Sequence, residues 1–142
     1  MTYKQAVMGP MPADRRVSFF AALFLAFGNF FKFEGRSSRG AYWWYVAWLF
    51  LIGALTQSLD AIVFPYLALA EPGIRPVFSV WTLLTFFPSL GMGVRRLHDI
   101  GKSGWWLLLI LTGIGIVLII YWAAQPGHRE ENLYGPDVEA GR

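Results

Sequence analysis

The chain has 142 residues, 56% of them hydrophobic and only 15% charged, with a formal net charge of +3. A soluble domain carries about 25% charged residues, and a disordered chain needs low hydrophobicity, so both classes are excluded. No cysteine is present, which removes disulfides, thiolate metal sites and cysteine nucleophiles.

The apolar residues are gathered in blocks. The first, 17–31, follows Arg15 and Arg16 and runs directly into Lys32, Glu34, Arg36 and Arg39. A crossing of ~30 Å of hydrocarbon needs about 20 helical residues, so this block is short for a span. Arg15-Arg16 with Ala26-Phe27-Gly28 has the outline of a signal peptide, but export would carry the basic residues after it across the membrane. The favoured reading is an interfacial helix with Phe19, Phe20, Phe24, Phe27 and Phe31 toward lipid. A short fourth span is the alternative.

The span expected at 41–63 opens on Tyr42-Trp43-Trp44-Tyr45 and carries Thr56, Gln57, Ser58 and Asp60 in its second half. The span expected at 77–94 contains Pro88, which removes a helical hydrogen bond to Leu84 and predicts a kink. Gly91 and Gly93, like Gly113 and Gly115, offer small surfaces for close helix contact. The third span, 105–124, contains no charge, opens on Trp105-Trp106 and closes on Tyr121-Trp122. Paired aromatic belts fit spanning helices, because amphipathic rings favour the headgroup level.

No block alternates with period two, and a closed barrel needs about 8 strands or more. The backbone must then satisfy itself as helix. The expected fold class is all-α: an integral membrane helical bundle of three transmembrane helices plus the N-terminal interfacial helix. The membrane domain, 17–124, lies between a flexible segment, 1–16, and a polar tail, 125–142. Asp60 is the only acid inside a block and is expected to face water or the interface. No chain of acids follows it, so a proton relay is not supported.

Residues 1–40 hold Lys4, Arg15, Arg16, Lys32, Arg36 and Arg39, and the loop 95–104 holds Arg95, Arg96 and Lys102. The loop between the first two spans holds only Arg75. Basic flanks stay cytoplasmic, so three spans predict 95–104 inside and the tail, with Glu130, Glu131, Asp137 and Glu139, outside.

Two motifs carry the polar chemistry. In Phe33-Glu-Gly-Arg-Ser-Ser-Arg, Gly35 permits a sharp turn and Ser37 or Ser38 can cap the next helix. In Arg95-Arg96-Leu97-His98-Asp99, a helix extended past the bilayer sets Asp99 within reach of Arg95 and Arg96. Gly101 and Gly104 then reverse the chain, with Ser103 as a cap. Cations at one depth repel one another, so Asp99 is expected to pair with Arg39 and Arg95.

Three sharper chemistries fail on spacing. Gly101-Lys102-Ser103 lacks the earlier P-loop glycine, since Arg96 stands there. His98 with Asp99 is one pair, short of the three or four ligands zinc needs. Ser103, His98 and Asp99 lie too close in sequence for one loop to orient them as a triad. The structural alternative for both motifs is charge anchoring and an ion-pair hinge.

With these motifs in place, the chain resembles the DUF805 family of small bacterial inner-membrane proteins. The matching residues are Phe33, Gly35, Arg36, Ser38, Arg39, Tyr42 and Trp43, then Arg95 to Asp99 with Ser103, Trp105 and Trp106. The tail Pro126-Gly127…Asn132-Leu133-Tyr134-Gly135-Pro136-Asp137 matches as well. The resemblance covers roughly 30–137, and departs before Phe19 and at Val138, where the family commonly has proline. It implies a multi-pass protein of the bacterial inner (plasma) membrane and no established activity.

The expected function is a non-enzymatic membrane component. Its cytoplasmic edge, formed by Arg36, Arg39, Arg95, Arg96, His98, Asp99 and Lys102, would bind an anionic lipid or a partner protein. Each basic residue near an anionic surface contributes ~1 kcal/mol. The alternative is a membrane-embedded enzyme or transporter subunit acting on a phosphorylated or lipidic substrate through His98 and Asp99. No cofactor, metal or nucleic acid is expected, and a membrane-protein partner or a homo-oligomer is compatible with this edge.

Overall fold

A computed structural model describes residues 17–66 and 73–139. The segment expected at 1–16 lies outside them. The described residues form helices in the order α1 (Phe19–Gly28), α2 (Arg39–Val63), α3 (Pro76–Asp99), a 3-10 helix (Gly104–Thr112) and α4 (Ile114–Ala124).

Helix α1 starts where the Ser18 hydroxyl accepts a hydrogen bond from the Ala21 amide, 3.2 Å away. Its small face, Ala22 and Ala26, is completely buried against Ala41 and Tyr45 of α2 and Met92 of α3. Phe20 and Phe24 point away and are exposed. At its start, Phe19 stacks on Trp48 at 4.3 Å, and Trp48 Nε1 donates to the Phe19 carbonyl at 2.7 Å. Just past its end, Arg95 donates to the carbonyls of Asn29 and Lys32. Helix α1 therefore runs alongside the first turns of α2 in the opposite direction.

Gly35 turns the chain at φ +84° and Ser38 caps α2, accepting from the Ala41 amide at 3.2 Å. Helices α2 and α3 are each long and apolar enough to cross a membrane. They pack antiparallel: Tyr45 meets Ser89 through a 3.0 Å hydroxyl contact, while Asp60 meets Val77 at the other end. Helix α3 continues past the expected limit at 94 and carries the whole Arg95–Asp99 motif in helical form.

The block 105–124 is not one helix, so the expectation of a single continuous helix there is corrected. The 3-10 helix ends at Gly113, whose φ of +72° turns the chain back into α4. Gly115 then lies so close to the Leu109 carbonyl that a Cβ there would collide. Trp106 and Trp122 consequently meet edge to face, their ring centres 5.7 Å apart. A continuous helix would separate these positions by about 24 Å. The block is a hairpin, and it docks on α3 where Leu107 covers Gly93 and Gly104 lies against Val94.

Large apolar side chains point outward along every helix, including Phe50, Leu83, Leu111 and Ile114. The most deeply buried side chains include Arg96, Asp99 and Ser38. This is the reverse of a water-soluble interior, where charged groups are almost never fully buried.

Candidate functional site

The two polar motifs meet. The last turns of α3 place Arg95 and Arg96 on different sides of the helix, with Asp99 one turn beyond Arg96. The segment before α2 lies alongside them, fixed by the Ser37 amide donating to the Arg95 carbonyl at 3.0 Å. The tail that follows α4 folds back over both.

Asp99 is the centre and is 2% exposed. Arg36 Nε donates to its Oδ1 at 2.9 Å, and Arg96 Nη1 pairs with its Oδ2. Sequence reasoning expected Arg39 and Arg95 in these places, and the structure corrects both. Arg39 sits in the first turn of α2 and is exposed. Arg95 is buried but turns away from Asp99 toward the end of α1. Helical spacing allowed either neighbour, and the fold selects Arg96.

Each guanidinium also reaches backbone carbonyls. Arg36 Nη1 donates to Glu130 and Gly135 at 2.9 and 3.2 Å, and its Nη2 donates to His128. Arg96 Nε donates to Ala123 at 2.9 Å, and its Nη2 to Gln125. Planar guanidinium groups with five fixed donors suit this multiple bonding. Two buried cations facing one carboxylate are compensated here by carbonyl dipoles from the end of α4 and the tail, and Arg36 also lies 3.9 Å from the Asp137 carboxylate.

His98 extends the network. Its Nδ1 lies 3.0 Å from the Gly35 carbonyl, and its ring lies flat against Tyr134 with centres 3.8 Å apart. Asn132 Nδ2 donates to the His98 carbonyl at 2.9 Å, and the His128 amide donates to the Asp99 carbonyl at 2.9 Å. Gly127 lies against the Asp99 carboxylate with no room for a Cβ. Gly101, at φ +73°, leaves the space that His128 fills: a Cβ would come within 2.6 Å of the His128 ring.

These bonds hold the tail against the 95–104 loop. The structure thus joins the tail directly to the 95–104 loop, two segments expected to lie apart. The tail residues Gly127, His128, Asn132, Tyr134 and Gly135 were not expected in the site. Their family motif was visible in the sequence, but His128 and Gly135 act through backbone carbonyls, which residue types do not reveal, beside the Asn132 amide and the Tyr134 ring.

Of the residues expected to bind a ligand, Arg36, Arg95, Arg96, His98 and Asp99 are thus engaged internally. Arg39 and Lys102 differ. The Arg39 side chain makes no ion pair or hydrogen bond among the described residues, and it borders an open groove with Gly40, Trp43, Trp44 and Ala47. Lys102 Nζ lies 4.4 Å from the centre of the Trp122 ring, a cation–π contact that leaves it half-buried. Among the described residues no group of three or more His, Asp or Glu side chains is placed to hold a metal.

Comparison with known proteins gives relatives but no activity. Inner membrane protein YhaH of Escherichia coli (strain K12) is 33% identical over 114 residues, covering 77% of this chain and 88% of YhaH. Inner membrane protein YhaI of the same organism is 31% identical over 117 residues, covering 80% and 91%. No solved structure matches. A family profile described as a protein of unknown function, DUF805, matches residues 30–136 and so spans both motifs and the tail that closes over them. The chain belongs to the DUF805 family.

Proposed function

We propose that this protein is a multi-pass inner-membrane component, with α2 and α3 crossing the bilayer, whose basic edge binds anionic lipid headgroups without catalysing a reaction. The names of its relatives and the outward apolar surface of both long helices support the membrane setting. The observation that carries the binding reading is the division among the arginines. Arg36 and Arg96 are spent on Asp99 and the tail, whereas Arg39 stands exposed over a groove walled by Trp43 and Trp44. Tryptophan rings favour the headgroup level, so a cation beside them lies where a phosphate would be. Lys102, against Trp122, contributes a second charge at a similar ring.

An enzymatic reading through His98 and Asp99 has less to support it. Both side chains are occupied, Asp99 by two guanidinium groups and His98 by the Gly35 carbonyl and the Tyr134 ring. A substrate would first have to displace the tail.

The test is lipid retention, read by native mass spectrometry after purification from mixed anionic and zwitterionic lipid. Arg39→Ala should reduce retained anionic lipid about fivefold, the equivalent of ~1 kcal/mol for one basic residue. Equal retention of anionic and zwitterionic lipid by the unaltered protein would sink the reading. Retention unchanged by Arg39→Ala would move the site elsewhere on the edge.

A further inference from the structure

We propose that the hairpin formed by the 3-10 helix and α4 docks into the acyl chains of a single membrane leaflet. It enters and leaves on the face that carries the basic motifs. This rests on the reading that α2 and α3 cross the bilayer, and it goes further by saying what covers an exposed apolar surface outside those helices.

The mouth of the hairpin is a headgroup-level structure. Trp106 and Trp122 touch there, with Trp105 and Tyr121 exposed beside them and Lys102 against the Trp122 ring. Arg96 ties the end of α4 to the same level by donating to the Ala123 and Gln125 carbonyls. Aromatic pairs expected at two membrane surfaces thus gather at one.

The length of the arms fits half a bilayer. Nine residues of 3-10 helix rise about 18 Å, and the eleven residues of α4 rise about 16 Å. A hydrocarbon core is ~30 Å thick, so the turn at Gly113 falls near its middle.

The surface is apolar throughout. From Trp105 to Ala124 there is no charge, and Leu108, Leu111, Ile114, Val117 and Ile120 are exposed, Leu111 and Ile114 by 84% and 85%. Irregular backbone in lipid must satisfy its own polar groups, and this turn does so. Thr112 Oγ1 donates to the Leu109 carbonyl at 2.7 Å and accepts from the Gly115 amide at 3.1 Å. The Gly113 amide donates to Ile110 at 3.2 Å, and the Ile116 amide to Gly113 at 3.1 Å. A threonine between leucine and glycine at the tip of an apolar loop serves this role.

The absence of cysteine makes the test clean, because single cysteines can be introduced on the full chain in native vesicles. Glu34→Cys, Ile74→Cys and Leu133→Cys, all at exposed positions, are labelled with a membrane-impermeant maleimide from each side. The expected result is Glu34→Cys and Leu133→Cys on one side and Ile74→Cys on the other. Leu133→Cys on the side of Ile74→Cys would mean that the block crosses, and would overturn the hairpin while leaving the two spans intact. All three on one side would overturn the spanning reading and the hairpin's insertion together.

A fluorophore at Leu111→Cys or Ile114→Cys then identifies the occupant. Strong quenching by lipids with brominated chains, and none by aqueous iodide, is the expected result. Quenching by iodide would put the hairpin in water, and shielding from both quenchers would put a second copy or another protein over it. Either of those outcomes overturns leaflet docking.

Discussion

Asp99 and Asp60 are buried carboxylates at opposite ends of the α2–α3 pair, 2% and 4% exposed. Asp99 faces two guanidinium groups, which in turn collect the carbonyls of a returning tail. Asp60 has no such partner among the described residues: it accepts the Val77 and Phe78 amides at 2.9 Å each, the unsatisfied donors at the start of α3. The expectation that Asp60 faces water or the interface is corrected by this contact. A helix N-terminus carries partial positive charge and free amides, so it serves one carboxylate locally. Guanidinium groups have donors to spare, so the Asp99 end can recruit distant backbone and becomes the organising centre of the fold.

That contrast predicts unequal consequences. Asp99→Ala removes the carboxylate that two buried guanidinium groups share and leaves Arg36 only its longer 3.9 Å pair with Asp137, and breaking a buried pair from one side costs about 3–5 kcal/mol. Thermal unfolding in detergent should show the largest loss of any variant considered, with little folded protein recovered. A loss within ~0.5 kcal/mol, as for an ordinary surface site, would remove Asp99 from its central place.

Gly127→Ala tests whether the tail is truly seated. The added methyl group meets the Asp99 carboxylate, and overpacking costs about 1–3 kcal/mol. Trypsin should then cut sooner after Arg129, which is exposed in the tail. Unchanged cleavage and stability would mean that the tail does not press on Asp99.

At the other end, Asp60→Ala should cost about 0.5–2 kcal/mol, the loss expected for a helix cap. The damage should be local, with faster hydrogen exchange at Val77 and Phe78 and no change at the Arg36 end. Faster exchange at both ends would show that the two aspartates are coupled. Arg39→Ala should be smallest, within ~0.5 kcal/mol in stability, although anionic lipid retention falls. A large stability loss there would place Arg39 in the structural network.

Much of the outline was legible in the residues. Ser38 and Ser103 both stand as caps, Gly35 turns the chain, and Gly91 and Gly93 admit close neighbours, the Lys32 carbonyl and Leu107. The pairing was only half legible. Arg96 and Asp99 lie one helical turn apart, but Arg36 comes from 63 positions away, and no spacing rule selects it over Arg39. The third block was read as one helix because hydropathy measures length and polarity, and an apolar hairpin and a single apolar helix look alike on both. Gly113 and Gly115 were visible as small surfaces; their service as a turn depends on the positive φ of Gly113 and on the Leu109 carbonyl arriving against Gly115.

By itself the sequence determined the apolar blocks, the absence of thiol chemistry, the helix caps and the positions of the basic motifs, since each depends on composition or on neighbours within a few residues. Tertiary structure alone decided which arginines hold Asp99, that the tail shares a face with the 95–104 loop, and that the last apolar block returns to where it began. Those outcomes rest on backbone carbonyls brought together across the chain. A carbonyl is the same in every residue, so only the fold tells which ones a guanidinium will find.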